Sequence, residues 1–185
     1  MKKKVILPMV LALVVAIACL PLFACSGGGG EGLKPNNGEG LKLGSGASVL
    51  TVKGEDEAID YVIFTVNAEG IKDTTSVKDY MDALVKAGWL SYDGNNGSYG
   101  YYITSVMEQS EKILSSSGNS SEGYAWNLYL DFTTLEGDAA IYATDYTTKE
   151  IEGTTYYGAS YGISGIPCVQ GHTYVLSYDY YNYSW

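Results

Sequence analysis

Few residues in this chain could do covalent or metal chemistry. One histidine, His172, and three cysteines, Cys19, Cys25 and Cys168, occur in 185 residues. Most zinc sites, His-dependent triads and disulfide frameworks each need several such groups, so these are excluded. His172 could ligate a metal, or the cobalt of a corrinoid, through its imidazole; alone in the turn Gln170-Gly171-His172 it reads first as solvated. Cys168, beside Pro167, reads as a small buried apolar residue, because nothing at motif spacing would make it a thiolate. Asp93-Gly94-Asn95-Asn96-Gly97-Ser98 has glycine at the fifth position of a calcium loop and no glutamate at the twelfth, which leaves a turn. Glu55-Asp56-Glu57 is a solvated acidic turn. Among 21 acidic residues no catalytic pair stands out. The expectation is a protein that is not an enzyme and holds no resident metal or cofactor.

Cys25 is the exception, because its neighbours suit modification. Lys2, Lys3 and Lys4 precede an almost uninterrupted aliphatic run from Val5 to Leu20, long enough to enter a bilayer as a helix. Pro21-Leu22-Phe23-Ala24-Cys25 then resembles the bacterial lipobox, in which a small residue precedes a cysteine that is lipidated and becomes the new amino terminus. Cys19, after Ala16-Ile17-Ala18, can be read the same way, and an uncleaved transmembrane anchor is the other alternative. Cys25 stands where the apolar run ends, so residues 1–24 are expected to be a signal peptide and Cys25 the lipidation site. Acylation would hold the protein on the outer face of a bacterial membrane. Residues 25–46 continue as a tether: Ser26 to Gly46 contains nine glycines and too few large apolar groups to offset the entropy of ordering. Its reach is roughly 25 Å.

The remaining chemistry is that of binding. Twelve of the 18 tyrosines fall at or after Tyr124, with Trp126 and Trp185 among them. On alternating strands such residues can form an aromatic platform edged with hydroxyls, suited to a sugar ring, a corrin or another planar ligand. They equally suit half-exposed strands with no ligand at all. The candidate contacts are Tyr124, Trp126, Tyr129, Tyr174, Tyr178 and His172. Alternation places Trp126, Leu128 and Leu130 inward and Asn127, Tyr129 and Asp131 outward. The 11 basic residues are all lysine, and the net charge of −10 becomes three units more negative once Lys2, Lys3 and Lys4 leave with the leader. Such a chain is unsuited to nucleic acid or an anionic surface.

These side chains must be positioned by the domain at 47–185. Ser48–Lys53 and Ala58–Asn67 are β-branched runs around an acidic turn and predict a hairpin, with Val62, Phe64 and Val66 on one face. Over 75–87, Val77, Tyr80, Met81, Leu84 and Val85 recur at helical spacing, with a capping box at Ser76 and Asp79 and a stop at Gly88. Tyr92 to Ser98 predicts a turn, Tyr99 to Val106 a strand, Glu108 to Leu114 one or two helical turns, and Ser115 to Ser121 a loop. Tyr124–Phe132, Ala139–Tyr146, Thr154–Tyr157 and Thr173–Tyr181 predict strands. This order predicts an α+β fold, a mixed or antiparallel sheet around one amphipathic helix.

The helix SVKDYMDALVKAG, the strand GYYITSV, the strand GYAWNLYLD and the closing GHTYVLSYDY resemble the transcobalamin-like C-terminal domain family over most of residues 48–181. The resemblance implies a β-grasp-like fold and, as ligand, a corrinoid such as cobalamin. The expected function is a membrane-tethered extracytoplasmic lipoprotein with a non-catalytic ligand-binding module. The alternative is an adhesion or envelope-assembly protein with protein or glycan partners. Expected partners are the bilayer, through the acyl anchor, and a small molecule or envelope component, with no nucleic acid.

Overall fold

The computed structural model describes residues 39–54 and 56–184. The leader, Cys25 and most of the tether lie outside the described residues. The last residues of the tether do not: strand β1 (Lys42–Leu43) pairs with β4 (Ala68–Glu69), and Leu41 and Leu43 pack on the core.

Strands β2 (Ser48–Lys53) and β3 (Ile59–Thr65) form the predicted hairpin, and Val62, Phe64 and Val66 turn inward, each at most 1% exposed. Helix α1 (Val77–Lys86) follows with both parts of its capping box formed: Ser76 Oγ accepts from the Asp79 backbone N–H at 3.2 Å, and Asp79 Oδ2 accepts from the Ser76 N–H at 2.8 Å. Gly88 stops the helix in the left-handed region at φ +76°. Val77, Tyr80, Met81 and Leu84 are completely buried; each such side chain contributes about 1.5–3 kcal/mol.

After the helix the expectations fail in a consistent way. Tyr92–Gly97 is a strand, β5, paired with β6 (Gly100–Val106), rather than a turn. Met107 and Glu108 both adopt positive φ, 48° and 69°, and close a tight hairpin onto β7 (Gln109–Ser110) where helical turns were expected. The serine-rich stretch also pairs, as β8 (Lys112–Ser117) against β9 (Ser120–Leu130). Then come β10 (Ala143–Ile151), β11 (Thr154–Ala159) and β12 (Thr173–Ser184).

The main sheet runs β10-β11-β9-β12-β3-β2, with β8 as an additional partner of β9, and β5-β6-β7 form a separate three-stranded sheet. Every strand pair is antiparallel. Strands take 54% of the described residues and the single helix 7%. The fold is therefore mostly antiparallel β, which corrects the expected α+β, β-grasp-like architecture. The helix reading of its own segment was sound; the error lay in the polar glycine- and serine-rich segments, whose backbones pair although their side chains carry no apolar alternation.

One face of the main sheet, with Phe64, Trp126, Leu128, Leu130, Tyr174 and Leu176, packs on α1 and on Ile103 and Val106 of β6. Phe64 lies between Tyr80 and Tyr174, with ring centroids 5.9 and 5.7 Å away. The other face carries a smaller core of Tyr129, Ile151, Tyr156 and Val175, onto which the β10–β11 hairpin curls.

Candidate functional site

Strand β9 is longer than either strand that shares its outer edge. On one side it pairs with β12 continuously, from Leu130 opposite Tyr174 to Ser120 opposite Ser184. On the other, β8 covers Ser120–Tyr124 and β11 covers only Tyr129 and Leu130. Residues Ala125–Leu128 have ladder partners on the β12 side alone. A cleft of about 300 Å³ opens at this break, at the small end of ligand-pocket sizes.

Aromatic side chains form its walls. Tyr101 and Tyr102 of β6 and Tyr161 of the segment after β11 stand on one side; Tyr181 and Tyr183, at the end of β12, stand on the other. Two glycines permit the first wall. A Cβ on Gly162 would lie 2.6 Å from the Tyr101 carbonyl oxygen, so only glycine lets residues 161–163 run along β6, where the Gly162 and Ile163 N–H groups donate to Tyr99 and Tyr101 at 2.9 Å. A Cβ on Gly97 would meet the Tyr102 ring at 2.5 Å, so that ring lies over bare backbone. On the second wall the Tyr181 and Tyr183 rings stack at 5.3 Å and 18°. Tyr102, Tyr161 and Tyr183 are 45, 41 and 63% exposed, and their hydroxyls make no hydrogen bond to another described residue.

Beneath the opening lies a polar network centred on Asp179. Its carboxylate accepts from Ser177 Oγ at 2.6 Å, Tyr129 Oη at 2.8 Å, Lys149 Nζ at 3.0 Å and Asn127 Nδ2 at 3.2 Å. Lys149 also donates to Ser177 and reaches Asp60 at 3.8 Å. Burial alone would raise the Asp179 carboxyl, but the Ser177 and Tyr129 hydroxyls and the Lys149 ammonium together hold it below the usual carboxylate range. Burial, then the bond to Asp179, pushes the Tyr129 phenol well above its ordinary value. Among the described residues the one carboxylate lining the cleft is thus matched by a lysine, and the other surfaces are hydroxyls, an amide, aromatic rings and the aliphatic side chains of Ile103, Leu128, Ala159 and Ile163.

The six residues singled out from sequence do not converge. Tyr124 and Trp126 both touch Tyr178, with ring centroids 5.4 and 5.2 Å away, and Trp126 lines the cleft while its Nε1 donates to Gln109 O at 2.8 Å. Tyr178 spends its hydroxyl on Ser110 O. Tyr129 was expected to face outward; it is buried, because the β10–β11 hairpin covers that face of the sheet. Tyr174 is a core residue whose hydroxyl donates to Pro167 O at 2.7 Å. His172 sits at the opposite end of the β9–β12 ribbon, with Nδ1 2.8 Å from Asp131 Oδ1 and its ring 4.8 Å from that of Phe132. Cys168 is buried, and burial followed by the nearby Asp79 charge pushes its thiol up to about 12. Sequence reading passed over the cleft's own tyrosines; the runs Tyr99-Gly100-Tyr101-Tyr102 and Tyr180-Tyr181-Asn182-Tyr183 were the available signal, but only the topology joins them.

Compared with protein-family models, curated proteins and solved structures, the chain finds no match. Among the described residues no group of three or more His, Cys, Asp or Glu is placed to hold a metal ion. No helix among them is long and apolar enough to cross a membrane.

Proposed function

We propose that this protein is a lipid-tethered, extracytoplasmic binding module, non-catalytic, which captures an envelope or extracellular ligand in the aromatic cleft beside β9. The leader and Cys25 support the location. The single observation that carries the binding role is the break in the β9 edge, where three exposed tyrosines, their hydroxyls without a hydrogen-bond partner among the described residues, line about 300 Å³ of open volume. Aromatic rings that are held in place by neighbouring backbone and rings yet remain partly exposed offer contact area at small entropic cost. The cysteine and histidine weighed from sequence are not at the cleft: Cys168 is buried and His172 is bound to Asp131 at a distant turn.

Corrinoid capture draws no support from the cleft beside β9, since His172 is bound to Asp131 at the other end of the β9–β12 ribbon. The test is retention of the full chain, in detergent, on isolated cell envelopes. Tyr102→Ala/Tyr161→Ala should lower retention while the circular dichroism spectrum stays unchanged, and the bound material should be recovered chemically intact. Equal retention of the variant would refute the cleft as the binding site. Separately, Cys25→Ser should release the protein from the membrane fraction.

A further inference from the structure

Resting on the reading of the cleft as a binding site, we infer that its ligand is an uncharged saccharide, held by ring stacking on Tyr161 and Tyr183 and by hydroxyl contacts to Asn127 and Tyr102. Three features converge on this class. The first is charge. The lining contains no cation, and its one carboxylate, Asp179, already receives Lys149, Ser177, Tyr129 and Asn127. A phosphate, sulfate or uronate would enter with no counter-charge, beneath a chain of net charge −10. A cation would find no carboxylate with free acceptor capacity of its own.

The second feature is the alternation of flat apolar faces with hydroxyls. A pyranose presents axial C–H groups on its faces and hydroxyls around its rim. The cleft is lined by the rings of Tyr161, Tyr181 and Tyr183, and the hydroxyls of Tyr102, Tyr161 and Tyr183 make no hydrogen bond to another described residue. Thr144 and Thr147, from β10, and the exposed Asn127 add short polar groups on the same opening. A purely apolar ligand would leave these groups desolvated and unpaired, at about 1–3 kcal/mol each.

The third feature is shape. The opening lies on a surface rather than in a closed cavity, and both walls stand on strands or on backbone pinned to a strand. An open trough with fixed aromatic walls admits one or two rings of a longer chain, whose remainder can extend past either wall. The competing occupant is an extended peptide that would add a strand along Ala125–Leu128. Trp126 and Leu128 of that segment are buried, and Asn127 already donates to Asp179. The tyrosine walls are moreover not needed for backbone pairing, so the saccharide is favoured.

The experiment uses the full chain in a detergent without a sugar headgroup, titrated with cellohexaose, maltoheptaose, chitohexaose, laminarin, polygalacturonate and a pool of unstructured hexapeptides. Binding is followed by intrinsic tryptophan fluorescence and by calorimetry. At least one neutral saccharide should bind with Kd at or below about 1 mM. Tyr161→Ala and Tyr183→Ala should each weaken it about tenfold or more, and Tyr161→Phe by much less. Polygalacturonate should not compete. Two results overturn the inference: none of the neutral saccharides binds, or the peptide pool binds and loses affinity in the same variants. Envelope retention that depends on Tyr102 and Tyr161, alongside no saccharide binding, would sink this inference while leaving the binding module standing. Variants with unchanged retention would sink both.

Discussion

Asp179→Ala should be among the most damaging single substitutions on the less extensive face of the sheet, and its cost can be worked from the contacts it removes. The side chain is 22% exposed and receives four donors from three strands: Lys149 on β10, Asn127 and Tyr129 on β9, and Ser177 on β12 itself. Without it, the buried Tyr129 hydroxyl has no other acceptor among its bonded partners, an orphaning that costs about 1–3 kcal/mol. Ser177 keeps its contact with Lys149, but the Lys149 ammonium is left with Asp60, at 3.8 Å, as its one described carboxylate partner. The two losses together give about 3–4 kcal/mol, a substantial part of an ordinary domain stability. Urea unfolding followed by tryptophan emission measures this as a fall in midpoint at constant m. Lys149→Met in the Asp179→Ala background removes the stranded ammonium, so the pair should recover about 1–2 kcal/mol relative to the sum of the single variants. The pH dependence has a definite sign. Asp179 is depressed in the folded state, so its contribution is complete above the ordinary carboxyl value and disappears as pH falls through the lower folded value. The gap between wild type and Asp179→Ala should therefore close below about pH 4. A loss under about 1 kcal/mol at neutral pH, or strict additivity with Lys149→Met, would refute the network as a stabilising unit.

Three further outcomes follow from the same geometry. Ser76→Ala removes the hydroxyl that accepts from the Asp79 N–H and donates to Asp79 Oδ2, and should cost about 1 kcal/mol in the same urea experiment. Tyr92, Tyr129 and Tyr174 have phenols raised chiefly by burial, so the folded state retains protons that the unfolded state releases above pH 10. Stability should fall as pH rises beyond that point, and phenolate absorbance should show these groups ionising only with unfolding rather than in a smooth titration. Cys168, buried and with its thiol raised to about 12, should resist iodoacetamide at pH 8 in the native protein and react readily in denaturant; rapid native labelling would contradict its placement.

What the sequence disclosed was governed by where side chains, rather than backbone, decide the structure. The β2–β3 hairpin and α1 were legible because their apolar residues repeat at periods of two and 3.6 and because Ser76, Asp79 and Gly88 mark the helix ends. The strands β5 and β8 were not. Tyr92–Gly97 is almost without apolar side chains and every residue of β8 is exposed, so each is held by ladder bonds to a neighbour, a cause that leaves no local pattern. Met107 and Glu108 hid their hairpin in another way, by adopting positive φ without the Asn-Gly signal that normally announces it. Tyr129 was misplaced because alternation assigns a face but not what covers it. The cover, the β10–β11 hairpin, arrives from about twenty residues further along the chain.

The cleft follows from the same non-local cause. A strand of eleven residues fully paired on one edge needs an equally long partner on the other, or its edge is left open. Here β8 and β11 approach β9 from opposite ends and stop four residues short of meeting. A longer β11 would close the sheet and remove the opening. The chain instead leaves β11 at Ala159 and runs through Tyr161 and Gly162 onto β6, which sets an aromatic wall beside the break. The bare close approach at Gly162 is what allows that detour. A substitution there, such as Gly162→Val, should therefore displace Tyr161 from the cleft and abolish ligand binding, while Met81 and Leu84, past the first turn of α1 whose Val77 and Lys78 N–H groups donate to Ile166 and Ile163, keep their amide protection in hydrogen exchange. Loss of protection throughout α1 in that variant would mean that the detour supports the main core rather than the site, and the separation of scaffold from binding wall argued here would be wrong.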